Sequence, residues 1–373
     1  MTLNNLLLLI GGLVVLTVGA EFLVRNASRL AMSLGISALV VGLTVVSFGT
    51  SAPELVVSIT SAAQGKGDLA LGNVVGSNIF NILFILGLSA IITPLVVAQK
   101  LVRIDSPIMV GVALLALALA LDGTIGRFDG ILLTLGMVGF FVFCVRHSKR
   151  ESAAVAAEYE QSTVATAPKS RALAVCAVGI AIGLGLLILG SNMFVGAAVD
   201  VAKAMGVSDL VVGLTIVAAG TSLPEVATSV MAAIRGERDI AVGNVVGSNI
   251  LNILGVLGIS AAVSPLPIAV SDAALRFDIP VMIAASIACL PIFMTGFAIA
   301  RWEGVLLFGY YIAYTAFLIL DASRHDALPA FSQIMMFFVM PLTLVGLGVG
   351  VVRAMRRERK LTELVERQVP PRG

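Results

Sequence analysis

Charge is what this sequence has least of. Asp, Glu, Lys and Arg make up 12% of its 373 residues, against roughly 25% in an ordinary soluble domain. Histidine occurs twice, as His147 and His325, both at the ends of apolar segments. That scarcity argues against a buried Ser–His pair or a His-ligated metal centre. The three cysteines, Cys144, Cys176 and Cys289, are isolated within apolar stretches and form no CxxC pair. Neither a disulfide framework nor a zinc site is expected from them. The start, MTLNNLLLLIGG, lacks the basic region of a signal peptide, so it reads as the beginning of a first spanning helix. Basic residues are dispersed or sit beside apolar segments, and nucleic acid is not an expected partner. Short segments of alternating polarity are also missing, which excludes a transmembrane barrel.

What remains is apolar: 58% of the residues are hydrophobic and the mean hydropathy is +1.05. Runs of about 18–20 apolar residues, each long enough to cross a ~30 Å hydrocarbon core, recur along the chain. Charges, Gly and Pro divide them into spans near 4–33, 38–64, 69–93, 106–122, 128–146, 172–203, 209–234, 240–264, 279–299, 303–320 and 329–352. The expected fold is an all-α polytopic membrane protein. Residues 1–146 hold five spans and 147–171 a short cytoplasmic loop; 172–320 hold five more, followed by an extra span at 329–352 and a basic tail at 353–373. With the 147–171 loop inside, alternating sides places 19 of the 24 Lys and Arg residues in the cytoplasm, as the positive-inside rule requires. The N terminus is then outside and the C terminus inside, in the cytoplasmic (inner) membrane. The tail is expected to touch anionic lipid.

The two halves repeat. GISALVVGLTVVSFGTSAPELVVSITSA (35–62) aligns without gaps to GVSDLVVGLTIVAAGTSLPEVATSVMAA (206–233), and GDLALGNVVGSNIFNILFILGLSAIITPL (67–95) to RDIAVGNVVGSNILNILGVLGISAAVSPL (238–266). The repeated motifs occupy 42–81 and 213–252. Weaker echoes join RIDSP (103–107) to RFDIP (276–280) and RFDG (127–130) to RWEG (301–304). Five spans per half is an odd number, so the second half must lie upside down relative to the first. Two inverted-topology five-helix repeats, ten core helices in all, are an architecture of secondary transporters.

Each half buries an acid inside its second span, in GTSAPE (49–54) and again 171 positions later in GTSLPE (220–225). Pro53 removes a backbone donor and opens the helix. Freed carbonyls at membrane depth must line a polar cavity or be covered by protein. Thr50 and Glu54 stand one turn apart on one face, as do Thr221 and Glu225. The motifs GNVVGSNIFN and GNVVGSNILN add Asn73, Ser77, Asn81 and Asn244, Ser248, Asn252 at four-residue steps. An unpaired charge at the midplane costs at least a few kcal/mol, and no Lys, Arg or His lies within these segments to offset it. A hard cation bound by oxygens, calcium above all, answers both the charge and the ligand type.

The paired GTSxPE and GNxxGSNxxN segments resemble the α-repeats of the sodium/calcium exchanger branch of the calcium/cation antiporter superfamily, prokaryotic type. The resemblance implies alternating access, the first and sixth helices sliding across the other eight. It further implies calcium held by the Glu54 and Glu225 carboxylates and the Thr50 and Thr221 backbone carbonyls. Sodium sites would add Ser51, Ser77, Ser222, Ser248 and the carbonyls of Ser47 and Ala218 to Glu54 and Glu225. Asn73, Asn81, Asn244 and Asn252 would line the site. Calcium and sodium are then transported ions, no cofactor is expected, and one chain is the expected transport unit. Two departures stand out. Some relatives carry aspartate at one of the positions equivalent to Asn81 and Asn252, whereas both are asparagine here. The 147–171 loop is also too short for a large calcium-sensing domain.

Other residues take plainer readings. Gly72/Gly76 and Gly243/Gly247 suit close helix packing. Ser58, Ser61 and Ser229 are expected to bond to carbonyls of their own helices. Asp105 and Asp278, beside Arg103 and Arg276, read as caps or surface ion pairs, and Asn78 and Asn249 as either interhelical contacts or site residues. Glu21 has Asn192 as its counterpart and no assigned role. The sequence thus favours a sodium-driven calcium antiporter over a proton-coupled cation exchanger, since protons need no ring of hydroxyl ligands. A cation channel is a further class. An enzyme is not expected, because no base lies near Ser51 or Ser222.

Overall fold

A computed structural model describes residues 3–158, 169–205, 218–346, 348 and 352. The chain is helical throughout its described spans. In the first half run α1 (Leu3–Leu34), α2 (Ala38–Thr50), α3 (Ala52–Ala63), α4 (Gly67–Ile92), α5 (Leu101–Ala120) and α6 (Arg127–Glu158). In the second run α7 (Lys169–Ala204), α8 (Leu223–Ile234), α9 (Arg238–Val263), α10 (Ala274–Met294), α11 (Arg301–Ala322) and α12 (Leu328–Gly346). Nine described helices are long and apolar enough to cross a membrane, or ten with α2 and α3 counted as one bent span. The expected span 209–234 is described only from Ala218, and the 353–373 tail lies outside the described residues. Helix α6 runs on to Glu158, into residues expected as loop, because ESAAVAAE is rich in the strongest helix formers.

Burial ranks the helices. In α9 89% and in α4 72% of the apolar window is buried, against 33% in α1 and 28% in α7. The helices that carry the GNVVGSN motifs therefore form the centre, and α1 and α7 flank it. These two pack backbone to backbone along facing glycines. A Cβ added at Gly19 would lie 2.8 Å from the Leu187 nitrogen, and one at Gly183 2.7 Å from the Leu23 nitrogen. A side chain at either position would force the helices apart. Gly243 also packs closely, with a Cβ there 3.1 Å from the Leu39 carbonyl. Around Gly72 and Gly76 no described atom comes that near.

Two short antiparallel ladders tie the halves together outside the helices. Strand β1 (Leu95–Val96) pairs with β4 (Ala298–Ile299), and β2 (Thr124–Ile125) with β3 (Ile268–Ala269). Since β1 and β3 follow the third span of their halves and β2 and β4 precede the fifth, each ladder is the counterpart of the other. The RFDG and RWEG echoes match in role too: Asp129 accepts the Gly126 N–H at 2.8 Å and Glu303 the Ala300 N–H at 2.8 Å. Both acids hold the entry to a fifth span by satisfying a helix-start donor.

Some plainer readings need correction. Asp105 is fully buried, and Asp278 accepts from the Tyr314 hydroxyl at 2.9 Å rather than pairing with Arg276. Arg276 instead lies 4.0 Å from Asp272. The wide turns Leu101–Asp105 and Ala274–Asp278 open the fourth spans, α5 and α10, and each ends on its acid. Glu21 pairs with Arg235, linking α1 to the end of α8. Helix α12 meets α11 where Tyr310 donates to Thr343 at 2.7 Å.

Candidate cation-binding site

The site grows from two breaks in the helical backbone. At Ser51 the chain takes φ −78°, ψ 8°, and at Ser222 φ −89°, ψ 9°. Pro53 and Pro224 follow within the first turn of α3 and α8, where a missing N–H is tolerated. Helices α2 and α3 meet at 46° across the first break. Each break exposes a serine hydroxyl and places an acid one turn further on.

Those groups cross between halves. Ser222 donates to Glu54 Oε1 at 2.8 Å, and Ser51 donates to Glu225 Oε1 at 3.2 Å. Both acids are 1% exposed. Among the described residues their second oxygens, Glu54 Oε2 and Glu225 Oε2, have no hydrogen-bond partner. Among the described residues no Lys, Arg or His pairs with either acid. Two buried carboxylates, each with one satisfied and one open oxygen, therefore share one locality.

A shell of hydroxyls and amides surrounds them. With the Ser222 hydrogen committed to Glu54, the Ser77 hydroxyl 3.3 Å away is placed to donate to Ser222, while the buried Ser248 hydroxyl has no partner among the described residues. Thr50 donates to Asn244 Oδ1 at 3.2 Å, and Thr221 to Asn73 Oδ1 at 3.5 Å. Asn244 in turn donates to Ser229, and Asn73 to Ser58, each at 2.9 Å. Ser58 and Ser229 thus join helices rather than capping carbonyls of their own helix, contrary to their isolated look in the sequence. The Ser47 carbonyl accepts the Ser51 N–H at 3.0 Å and lies 3.3 Å from the Thr50 hydroxyl, and the Ser47 hydroxyl, which donates to the Gly42 carbonyl at 2.6 Å, lies 3.1 Å from the Asn244 carbonyl. Ala218 opens the described stretch Ala218–Gly220, and among the described residues no contact joins its carbonyl to this network.

Asn81 and Asn252 begin the π-helical turns Asn81–Leu86 and Asn252–Leu257. Such turns often mark functional sites, and no signal in the motif announced them. Asn81 donates to Asn249 Oδ1 at 3.0 Å and Asn252 to Asn78 Oδ1 at 3.1 Å. The Asn81 and Asn252 side-chain oxygens have no hydrogen-bond partner among the described residues. Asn78 and Asn249, left open between two roles by the sequence, stand behind these amides. The set of open oxygens, two carboxylate and two amide, suits a hard cation.

The chain is similar to known proteins along most of its length. Residues 4–146 and 175–320 match the family described as sodium/calcium exchanger protein. The sodium/calcium exchanger MaX1 of Methanosarcina acetivorans is 33% identical over 84% of this chain and 98% of its own. The inner membrane protein YrbG of Escherichia coli is 37% identical over 83% of this chain and 95% of its own. Among solved structures, the sodium-calcium exchanger NCX_Mj superposes with a TM-score of 0.72 at 29% identity, covering 87% of this chain and 100% of that one.

Proposed function

The chain belongs to the sodium/calcium exchanger family, and from that premise we propose that it exchanges calcium for sodium by alternating access at the Glu54–Glu225 site. It is an integral membrane protein and a transporter by family; its ions follow from MaX1 and NCX_Mj, both exchangers of sodium and calcium by name. The observation that carries the reading is the crossed pair of bonds, Ser222 to Glu54 and Ser51 to Glu225. Among the described residues it leaves two buried carboxylate oxygens open and no Lys, Arg or His paired with either acid. One calcium ion matches the charge of both acids.

In this reading Glu54 and Glu225 bind calcium together with the Thr50 and Thr221 carbonyls. Sodium ions use the same two acids with Ser51, Ser77, Ser222, Ser248 and the carbonyls of Ser47 and Ala218. Asn73 and Asn244 hold Thr221 and Thr50 in place, and Asn81 and Asn252 complete the lining. Calcium and sodium compete for shared oxygens, so either can occupy the site but not both. A carrier that changes its open side only when loaded then couples the two gradients. The closely packed pair α1 and α7 is the element that moves. The charge distribution supports a cytoplasmic-membrane setting with the N terminus outside and the C terminus inside.

The test is calcium-45 uptake into proteoliposomes loaded with sodium, with a pH-gradient arm free of sodium. Uptake driven by the sodium gradient and abolished in Glu54→Gln and in Glu225→Gln is expected. Uptake that follows the pH gradient and ignores sodium would replace this reading with proton-coupled exchange.

A further inference from the structure

Behind Asn81 and Asn252 lies a second layer. Asn78 Nδ2 approaches Met282 Sδ at 3.4 Å, and Asn249 Nδ2 approaches Met109 Sδ at 3.7 Å. The two methionines lie at matching places in α10 and α5, and both are 1% exposed. Asn249 Nδ2 also reaches the Asn78 backbone carbonyl at 3.4 Å. The contacts run in series. Met282 sulfur faces the Asn78 amide nitrogen, the Asn78 oxygen accepts from Asn252, and the Asn252 oxygen is left over. The other half repeats this order through Met109, Asn249 and Asn81.

Chemistry gives the series a direction. A thioether accepts weakly and has no hydrogen to donate. An amide beside it is stable with its NH₂ toward sulfur and its oxygen turned away. That oxygen can only be met by a donor, so the next amide presents its own NH₂ to it. The final carbonyl oxygen must then point outward. In α4 it emerges one turn from Ser77, which touches the Ser222–Glu54 pair. A flipped relay would offer the site an NH₂ group, which repels a cation.

We infer that Met109–Asn249 and Met282–Asn78 are positioning pairs that fix the amides of Asn81 and Asn252 with their oxygens toward the transported cation. This inference rests on the proposed cation site and deepens it. It accounts for a site that carries two neutral amides: an asparagine offers one ligand oxygen and must be held the right way round, whereas a carboxylate presents oxygen in either orientation.

The experiment measures half-saturating calcium and maximal rate of sodium-driven uptake by the reconstituted full chain. Asn78→Leu is made alone and in the Asn252→Asp background. Alone it is expected to raise half-saturating calcium about tenfold, the scale of one lost strong polar contact, with a smaller change in maximal rate. In the Asn252→Asp background the same change is expected to cost less than about twofold, because either carboxylate oxygen can serve. An equal cost in both backgrounds, or none in either, would overturn the inference, since packing alone is indifferent to the residue at 252. Met282→Leu keeps the volume and removes the acceptor, so it carries the test if Asn78→Leu does not fold. Its expected rise of about threefold, below that of a full hydrogen bond, should likewise vanish in the Asn252→Asp background. Glu54→Gln separates the two ideas. If it transports normally, the cation site itself is misplaced and the inference falls with it. If it is inactive while Asn78→Leu costs the same in both backgrounds, only the relay is wrong.

Discussion

Ser51 and Ser222 each stand at the break of one motif and reach the acid of the other. A hydrogen bond to a charged group contributes about 1.5–3 kcal/mol, so each hydroxyl fixes an oxygen firmly. Removing one by Ser222→Ala is expected to raise the sodium needed for half-maximal exchange by roughly tenfold or more on that scale. Calcium affinity should fall less, because the serine hydroxyls are read as sodium ligands and the calcium set omits them. Paired sodium and calcium titrations of uptake check this, and an equal loss for both ions would remove the sodium-specific role. The acids were legible in the sequence because a carboxylate behind a proline inside an apolar run is costly, and the chain repeats it. Ser58, Ser229, Met109 and Met282 were not. Their roles depend on which faces meet across the two halves, and spacing along one helix says nothing about that. Asp105 was misread for a related reason: it closes a wide turn at the start of α5 and is buried, and neither the turn nor the neighbours that cover it are visible in the spacing.

At the scale of helices, the broken spans and the glycine-lined pair set the behaviour. Pro53→Ala restores a donor in the first turn of α3 and favours one continuous helix. The bend at Ser51 should relax, and uptake should fall severalfold while the protein still elutes as a single folded species. Unchanged uptake would mean that the neighbours hold the break without the proline. Gly183→Val is expected to act differently. Its Cβ would meet the Leu23 backbone at 2.7 Å, a contact no rotamer can avoid. Since overpacking typically costs about 1–3 kcal/mol, the melting temperature should drop along with transport, as a thermal-shift assay would report. The long apolar runs and the charges, Gly and Pro that divide them made most helices readable. The intimacy of α1 with α7 was not, because a glycine stripe does not name its partner.

For the whole molecule, the internal repeat of the sequence has a counterpart in matched pairs of contacts, the two ladders and the crossed serine–glutamate bonds. What the repeat does not convey is register: β1 meets β4 and Asn81 meets Asn249 only once the halves are docked. A site shared between halves also ties their docking to the ion. Calcium at a hundred times its dissociation constant should stabilise the fold by about 2.7 kcal/mol. Thermal unfolding in detergent should therefore shift upward with calcium for the wild type and hardly at all for Glu54→Gln. A shift of equal size in both would place the stabilising calcium elsewhere.

The central claim is that calcium and sodium take turns at one set of oxygens between Glu54 and Glu225. Its most direct test is equilibrium calcium binding to the purified chain at increasing sodium. The account predicts that the apparent calcium dissociation constant climbs without a plateau, with a logarithmic slope above one because more than one sodium ion replaces each calcium. A plateau, or indifference to sodium, would mean that the two ions occupy separate sites and would contradict it.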